Sequence, residues 1–156
     1  MPDLYVFLKW LHVLGAVVLF GTGVGTAFHF WMANRSQDVH AIAVAARTTM
    51  IADYAFTLPA VILQPATGFA MAILAGFPLA SSWIAISFAL YLLAGACWIP
   101  VVVMQIRMTR LALAAARDGT PLDDDYRRLY ARWFALGWPA FIALVIVFWL
   151  MVAKPA

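Results

Sequence analysis

The sequence predicts an all-α integral membrane fold: a four-helix transmembrane bundle with both termini on the non-cytoplasmic side. Three observations carry this expectation. Of 156 residues, 66% are hydrophobic and 11% charged, against about 45–50% and about 25% in ordinary soluble domains. Four apolar segments are each long enough to cross a hydrocarbon core, which takes about 20 helical residues. Arginine is concentrated in two of the three connections between them. A soluble domain of this length has too small an interior to hide so much apolar surface, so the lipid bilayer is the first partner.

Span 1 is placed at Leu4–Met32. No basic stretch precedes it, because Lys9 lies inside the run, and it reads as a retained span rather than a signal peptide. Span 2 is placed at Ile51–Leu74, with the Ala-rich half of the Asn34–Arg47 connection extending its helix beyond the membrane. The short uncharged link Gly76–Ser81 leads to span 3, Ser82–Leu113. The connection Arg107–Arg128 holds most of the charge and contains the turn "RDGTPLDDDYRR", in which Asp123, Asp124 or Asp125 supplies an N-cap. Span 4 is Tyr130–Ala153. No alternating ten-residue pattern suggests a barrel, which leaves helices as the spanning form. Residues 1–156 read as a single domain. Pro59, Pro65, Pro100 and Pro139 fall in spans 2, 3 and 4, where each removes an intrahelical hydrogen bond and tends to kink the helix.

Charge sets the expected orientation. The connections between spans 1–2 and 3–4 hold Arg35, Arg47, Arg107, Arg110, Arg117, Arg127 and Arg128, with Arg132 just inside span 4, whereas the other side has Lys9 and Lys154. Positive-inside logic puts the two basic loops in the cytoplasm. The net charge of +3 is thus a topology signal, and no nucleic-acid partner is expected. The lone Cys97 lies in an apolar run, so no disulfide framework exists.

Depth, at about 1.5 Å per residue, arranges the polar residues in two layers. His12, roughly 12 Å below the outer end of span 1, is level with Gln64 and Thr67 on span 2 and Tyr91 on span 3. Polar groups at that depth face inward and bond one another. Lys9, one turn before His12, can snorkel to the interface and meet a carboxylate such as a haem propionate. His12 is therefore either a metal ligand or a neutral imidazole bonded to Gln64 or Tyr91. The second layer holds His29, Asp53, Thr57, Gln105, Arg107 and Tyr130. Asp53 is the one acid within a span, and Arg107 or Arg47 is its expected partner. His12 and His29 are about 25 Å apart along the axis and about 100° around it. They cannot share a metal or one haem, and His40 falls in or near a loop. A single axial histidine remains open.

Other motifs are weaker. "GTGVGT" (Gly21–Thr26) follows no strand and is not a nucleotide loop; its Gly21 and Gly25 form a GxxxG pair suited to helix packing and to a homodimer. Cys97, Met104 and Met108 share one face of span 3, a soft set compatible with copper(I) or with packing. The chain has no glutamate, no HExxH, and no serine or cysteine nucleophile beside a histidine in sequence, which argues against a hydrolase.

The stretches "LKWLHVLGAVVLFGTG", "FTLPAVILQPATG", "LAGACWIPVVVMQIRM" and "FWLMVAKP" resemble an uncharacterised bacterial integral-membrane family, the domain of unknown function 2269, over nearly the whole chain. "KWLHVLGAVV" is also similar, over span 1 alone, to HemJ-type membrane protoporphyrinogen oxidases and CopD-like copper-resistance proteins. The HemJ likeness implies haem b at His12. These resemblances imply a multi-pass protein of the bacterial inner membrane. The leading expectation is a haem-b-binding protein with a redox, electron-transfer or porphyrin-related role, a membrane oxidoreductase if it is an enzyme. Its cofactor residues would be His12 as metal ligand, with Lys9, Gln64, Thr67 and Tyr91. The alternatives are a copper or small-solute handling protein using Cys97, Met104 and Met108, and a ligand-free structural subunit of a larger membrane complex.

Overall fold

The computed structural model describes residues 2–155. Its helices are α1 (Pro2–Ser36), α2 (Val39–Ala52), α3 (Leu58–Leu74), α4 (Ser82–Asp118) and α5 (Asp124–Ala153). A single π-helical segment, Asp53–Thr57, joins α2 to α3 in one rod, Val39–Leu74. Four helical rods are therefore long and apolar enough to cross a membrane, and among the described residues no strand occurs. Each rod is longer than the apolar run that announced it. The hydrogen-bonded helix continues past the hydrocarbon limit into polar sequence, as the Ala-rich stretch before span 2 does in α2.

Local chemistry sets the ends. Gln37 takes φ +59° between α1 and α2, and the Asp38 carboxylate caps α2 by accepting from the His40 N–H at 2.9 Å. Gly119 ends α4 at φ +65°, a left-handed conformation that costs glycine little. Asp123 caps α5, accepting from the Tyr126 N–H at 2.8 Å. It is the first of the three expected acids that does so.

The π-helical turn has an identifiable cause. Pro59 lacks an N–H, and in a regular α-helix its ring would strike the carbonyl four residues earlier. The turn just before it is widened, with the Leu58 N–H donating to the Asp53 carbonyl. Pro59 thus opens α3 rather than interrupting it. Pro65, Pro100 and Pro139 lie inside helices that continue through them.

The rods alternate in direction, so both termini and the 75–81 link form one end of the bundle, and the two arginine-rich loops form the other, the basic end. The core is concentrated at the basic end. Phe30, Ile42, Ala43, Ala46, Met108, Ala112, Tyr126 and Trp133 are among its buried members. Small residues on α2 and α4 let those backbones approach closely. The outward surface is large and apolar, as a bilayer requires: Val17, Ile62, Ile99 and Trp149 are all exposed.

Candidate functional site

His12 is carried by α1 and faces α3. Its ring Nδ1 lies 2.8 Å from the Thr67 hydroxyl, and the Gln64 amide donates to the His12 main-chain carbonyl at 2.8 Å. Two glycines make this approach possible. A Cβ at Gly15 would come within 2.6 Å of Gln64 Nε2, and one at Gly68 within 3.3 Å of His12 Cε1. Three of the four members of the first expected layer therefore meet. Tyr91 is in the same layer on α4, but its hydroxyl donates to the Val61 carbonyl at 2.6 Å instead of to His12.

The network assigns the imidazole tautomer. Thr67 has one hydroxyl proton, and its Oγ1 is 2.7 Å from the Leu63 carbonyl, a separation that two unshared lone pairs would not tolerate. The proton is therefore spent on the backbone, and Thr67 accepts from His12 Nδ1–H. The proton of a neutral ring then sits on Nδ1, and Nε2 carries the lone pair. Nε2 forms no hydrogen bond among the described residues. The ring is half-buried, and Lys9 is exposed three residues before it.

The second expected layer is corrected. Asp53 is buried but not ion-paired: its Oδ2 accepts from Gln105 Nε2 at 2.9 Å and its Oδ1 from the Thr57 hydroxyl at 2.8 Å. Arg107 points elsewhere, to Asp125 at 3.2 Å on the exposed basic end. Two residues beyond Gln105, it is turned about 200° around α4 and cannot face α2 as well. Arg47 and His29 are exposed, and Tyr130 stacks on Trp133. A cavity of about 200 Å³ adjoins Asp53 and Gln105, walled by Met50, Tyr54, Leu58, Trp98 and Val102.

Met104 and Met108 belong to the core, Met108 being wholly buried, while Cys97 is half-buried. The two methionines pack in the core cluster, which does not include Cys97. Among the described residues no group of three His, Cys, Asp or Glu side chains could hold a metal ion. One buried pair went unrecognised in the sequence: the Tyr126 hydroxyl donates to Asn34 Oδ1 at 2.8 Å, and Asn34 Nδ2 to the Phe30 carbonyl. A lone asparagine at the end of span 1 was its only signal.

The family described as "Predicted integral membrane protein (DUF2269)" matches residues 6–155. The chain belongs to this family. No curated protein and no solved structure matches it. The matched range contains both polar clusters, so His12, Thr67, Asp53 and Gln105 all lie within the DUF2269 domain. Family membership establishes an integral membrane protein, whose four apolar rods imply a bilayer environment; any activity has to be argued from the clusters.

Chemically the two differ. The first offers a neutral, oriented imidazole whose second nitrogen is available as a ligand or acceptor. The second offers a buried carboxylate held by two neutral donors. For a haem iron, the donor chemistry of the first cluster fits: an axial histidine binds through one nitrogen while the other donates to an acceptor that fixes the ring. Gln64, Thr67 and Tyr91 are each engaged in protein hydrogen bonds, so they fit as supports of the imidazole more than as walls of a pocket.

Proposed function

We propose that this DUF2269 protein binds one b-type haem through His12 Nε2, with a redox, electron-transfer or porphyrin-related role. One observation carries the reading. Nδ1–H is tied to Thr67, which leaves Nε2 as a lone pair on an immobilised, neutral imidazole within the membrane. Thr67 holds the ring, Gln64 locks the α1 backbone beneath it, and Tyr91 ties α4 to α3 in the same layer. Lys9, one turn nearer the terminal end, supplies a cation for a propionate. When bound, the haem would supply one-electron chemistry, and the protein orientation and dielectric. This chain contributes a single axial histidine, because His29 and His40 are exposed and remote from His12.

The same proposal places the basic end in the cytoplasm of a bacterial inner membrane, on the asymmetry of arginine between the two ends. It also includes a homodimer. Gly21 and Gly25 are exposed on α1, with open space where a Cβ would stand, a surface that a second copy can approach closely.

The test is an absorption spectrum, oxidised and dithionite-reduced, of protein extracted from haem-replete cells. The expected result is a Soret band that His12→Ala removes and His40→Ala leaves. Absence of the band in the unmodified protein, or its survival in His12→Ala, contradicts the proposal.

A further inference from the structure

Most arginines at the basic end already have a partner. Arg107 and Arg128 share Asp125, Arg127 reaches Asp124, and Arg117 its neighbour Asp118; Arg35 lies over the Trp31 ring. Arg47 on α2 and Arg110 on α4 are exposed and, among the described residues, pair with no carboxylate and no ring. Arg132 is likewise unpaired but is carried by α5. The antiparallel register that sets Asp53 against Gln105 puts Arg47 level with residue 111, one step from Arg110. On α2, Met50 and Tyr54 follow Arg47 by three and seven residues and share its face. On α4, Val102, Ile106 and Arg110 form one stripe at four-residue steps. Met50, Tyr54 and Val102 are walls of the cavity beside Asp53, so both unpaired cations stand over the basic side of one opening.

The cavity itself suits hydrocarbon. Leu58 and Trp98 complete its apolar walls, the Asp53 carboxylate is taken up by the Gln105 amide N–H and the Thr57 hydroxyl, and the Gln105 carbonyl is buried. Its volume of about 200 Å³ exceeds the roughly 150 Å³ that admits benzene, room for a short run of methylenes. Tyr54 and Leu58 are exposed, so the cavity is a groove open to the bilayer. The same register puts Pro100 level with Leu58, beside Pro59, and two helix-bending residues at one level account for the parting of the rods. Counting about 20 residues of hydrocarbon from Leu74 and from Ser82 puts its basic-side edge near Tyr54 and Val102, within the groove. Tyr54 and Trp98 then lie at the depth where amphipathic aromatics collect. Arg47 and Arg110 stand about 10–12 Å beyond that edge, and their long side chains reach back into the headgroup layer.

We infer that the groove between the α2–α3 rod and α4 is a docking site for an anionic phospholipid of the basic-side leaflet, with an acyl chain in the groove and the phosphate held by Arg47 and Arg110. Guanidinium groups suit this partner, because their forked donors match phosphate oxygens and anionic leaflets attract basic residues just outside the hydrocarbon. The apolar walls ask for no polar group from the chain that fills them. The site lies about 20 Å along the rod from Thr67 and stands whether or not His12 binds haem.

The test is native mass spectrometry of the full chain in detergent, titrated with phosphatidylglycerol and with phosphatidylcholine of the same acyl chains. The first phosphatidylglycerol binds at least fivefold more tightly than phosphatidylcholine. Replacing both exposed arginines, Arg47→Gln with Arg110→Gln, removes that preference, whereas Arg127→Gln with Arg128→Gln, an equal loss of charge on the same end, keeps it. Val102→Trp, which fills the groove and leaves both arginines in place, weakens phosphatidylglycerol binding at least fivefold. Equal binding of the two lipids by the unmodified protein, or a preference that survives loss of Arg47 and Arg110, overturns the inference. So does an equal loss in the Arg127 and Arg128 variant, which would mark general charge attraction, or unchanged binding in Val102→Trp, which would leave the groove without a role.

Discussion

At the basic end of the bundle, Phe30, Met108 and Tyr126 are sealed among alanines of α2 and α4; at the terminal end, the helices are bridged by rings. There Phe20 of α1 stacks on Phe141 and meets Phe148 edge-on, and Phe69 of α3 meets Phe88 of α4. The buried residues near His12 are small or polar: Gly15, Gln64 and Thr67. The first region is a packed core of the kind that holds a fold together. The second trades packing for hydrogen bonds that fix one imidazole. In a protein whose outer surface is solvated by lipid, the division leaves one end to specify the bundle and the other to position chemistry.

Large-to-small substitution breaks this comparison most directly. Phe30→Ala is expected to cost about 3–5 kcal/mol, the range for a fully buried phenylalanine, and Phe20→Ala less than half as much. Equilibrium unfolding of the purified protein in mixed micelles measures both, and equal losses would remove the distinction between the ends. Tyr126→Phe comes next. It leaves Asn34 Oδ1 buried without its donor, a loss of about 1–3 kcal/mol. Tyr91→Phe gives up a bond to a helix carbonyl, about 0.6 kcal/mol for an average interhelical hydrogen bond in membranes. The same unfolding assay ranks the pair.

How much of this was legible in the sequence depends on which coordinate is asked for. Depth was legible, because helix rise is constant: His12, Gln64, Thr67 and Tyr91 were expected at one level and are found there. Azimuth was not. Gln105 and Arg107 are nearly level, yet only Gln105 faces Asp53, and that follows from the rotation of α4 against α2. The widened turn at Asp53–Thr57 has no compositional signature beyond the proline after it. Nor did the run of glycines in α1 reveal which mattered. Gly15 is required by a close contact, as Gly68 is on α3, whereas Gly21, Gly23 and Gly25 meet nothing within 4 Å.

Smaller effects sharpen the comparison at the terminal end. Gly15→Ala forces the Gln64 amide away from the His12 carbonyl and is expected to destabilise by about 0.6–1.7 kcal/mol, the range of such bonds in membranes. Its clearer readout is a changed haem spectrum if His12 is the ligand, since the α1 backbone loses its lock beneath the ring. Gly21→Ala carries the smallest effect and a diagnostic sign. If α1 meets lipid there, alanine stabilises the helix by about 0.5–1 kcal/mol. If a second copy packs on that face, the added methyl shifts the protein toward monomer in light scattering.

The account turns on which nitrogen of one ring bears the proton. Nitrogen-15 NMR of the haem-free protein, labelled in histidine, reads this without reference to any ligand. The prediction is a His12 signal pair with a protonated Nδ1 and a bare Nε2, unchanged in His40→Ala and lost to tautomeric averaging in Thr67→Val. A His12 ring protonated at Nε2, or one that averages between tautomers while Thr67 is present, contradicts it.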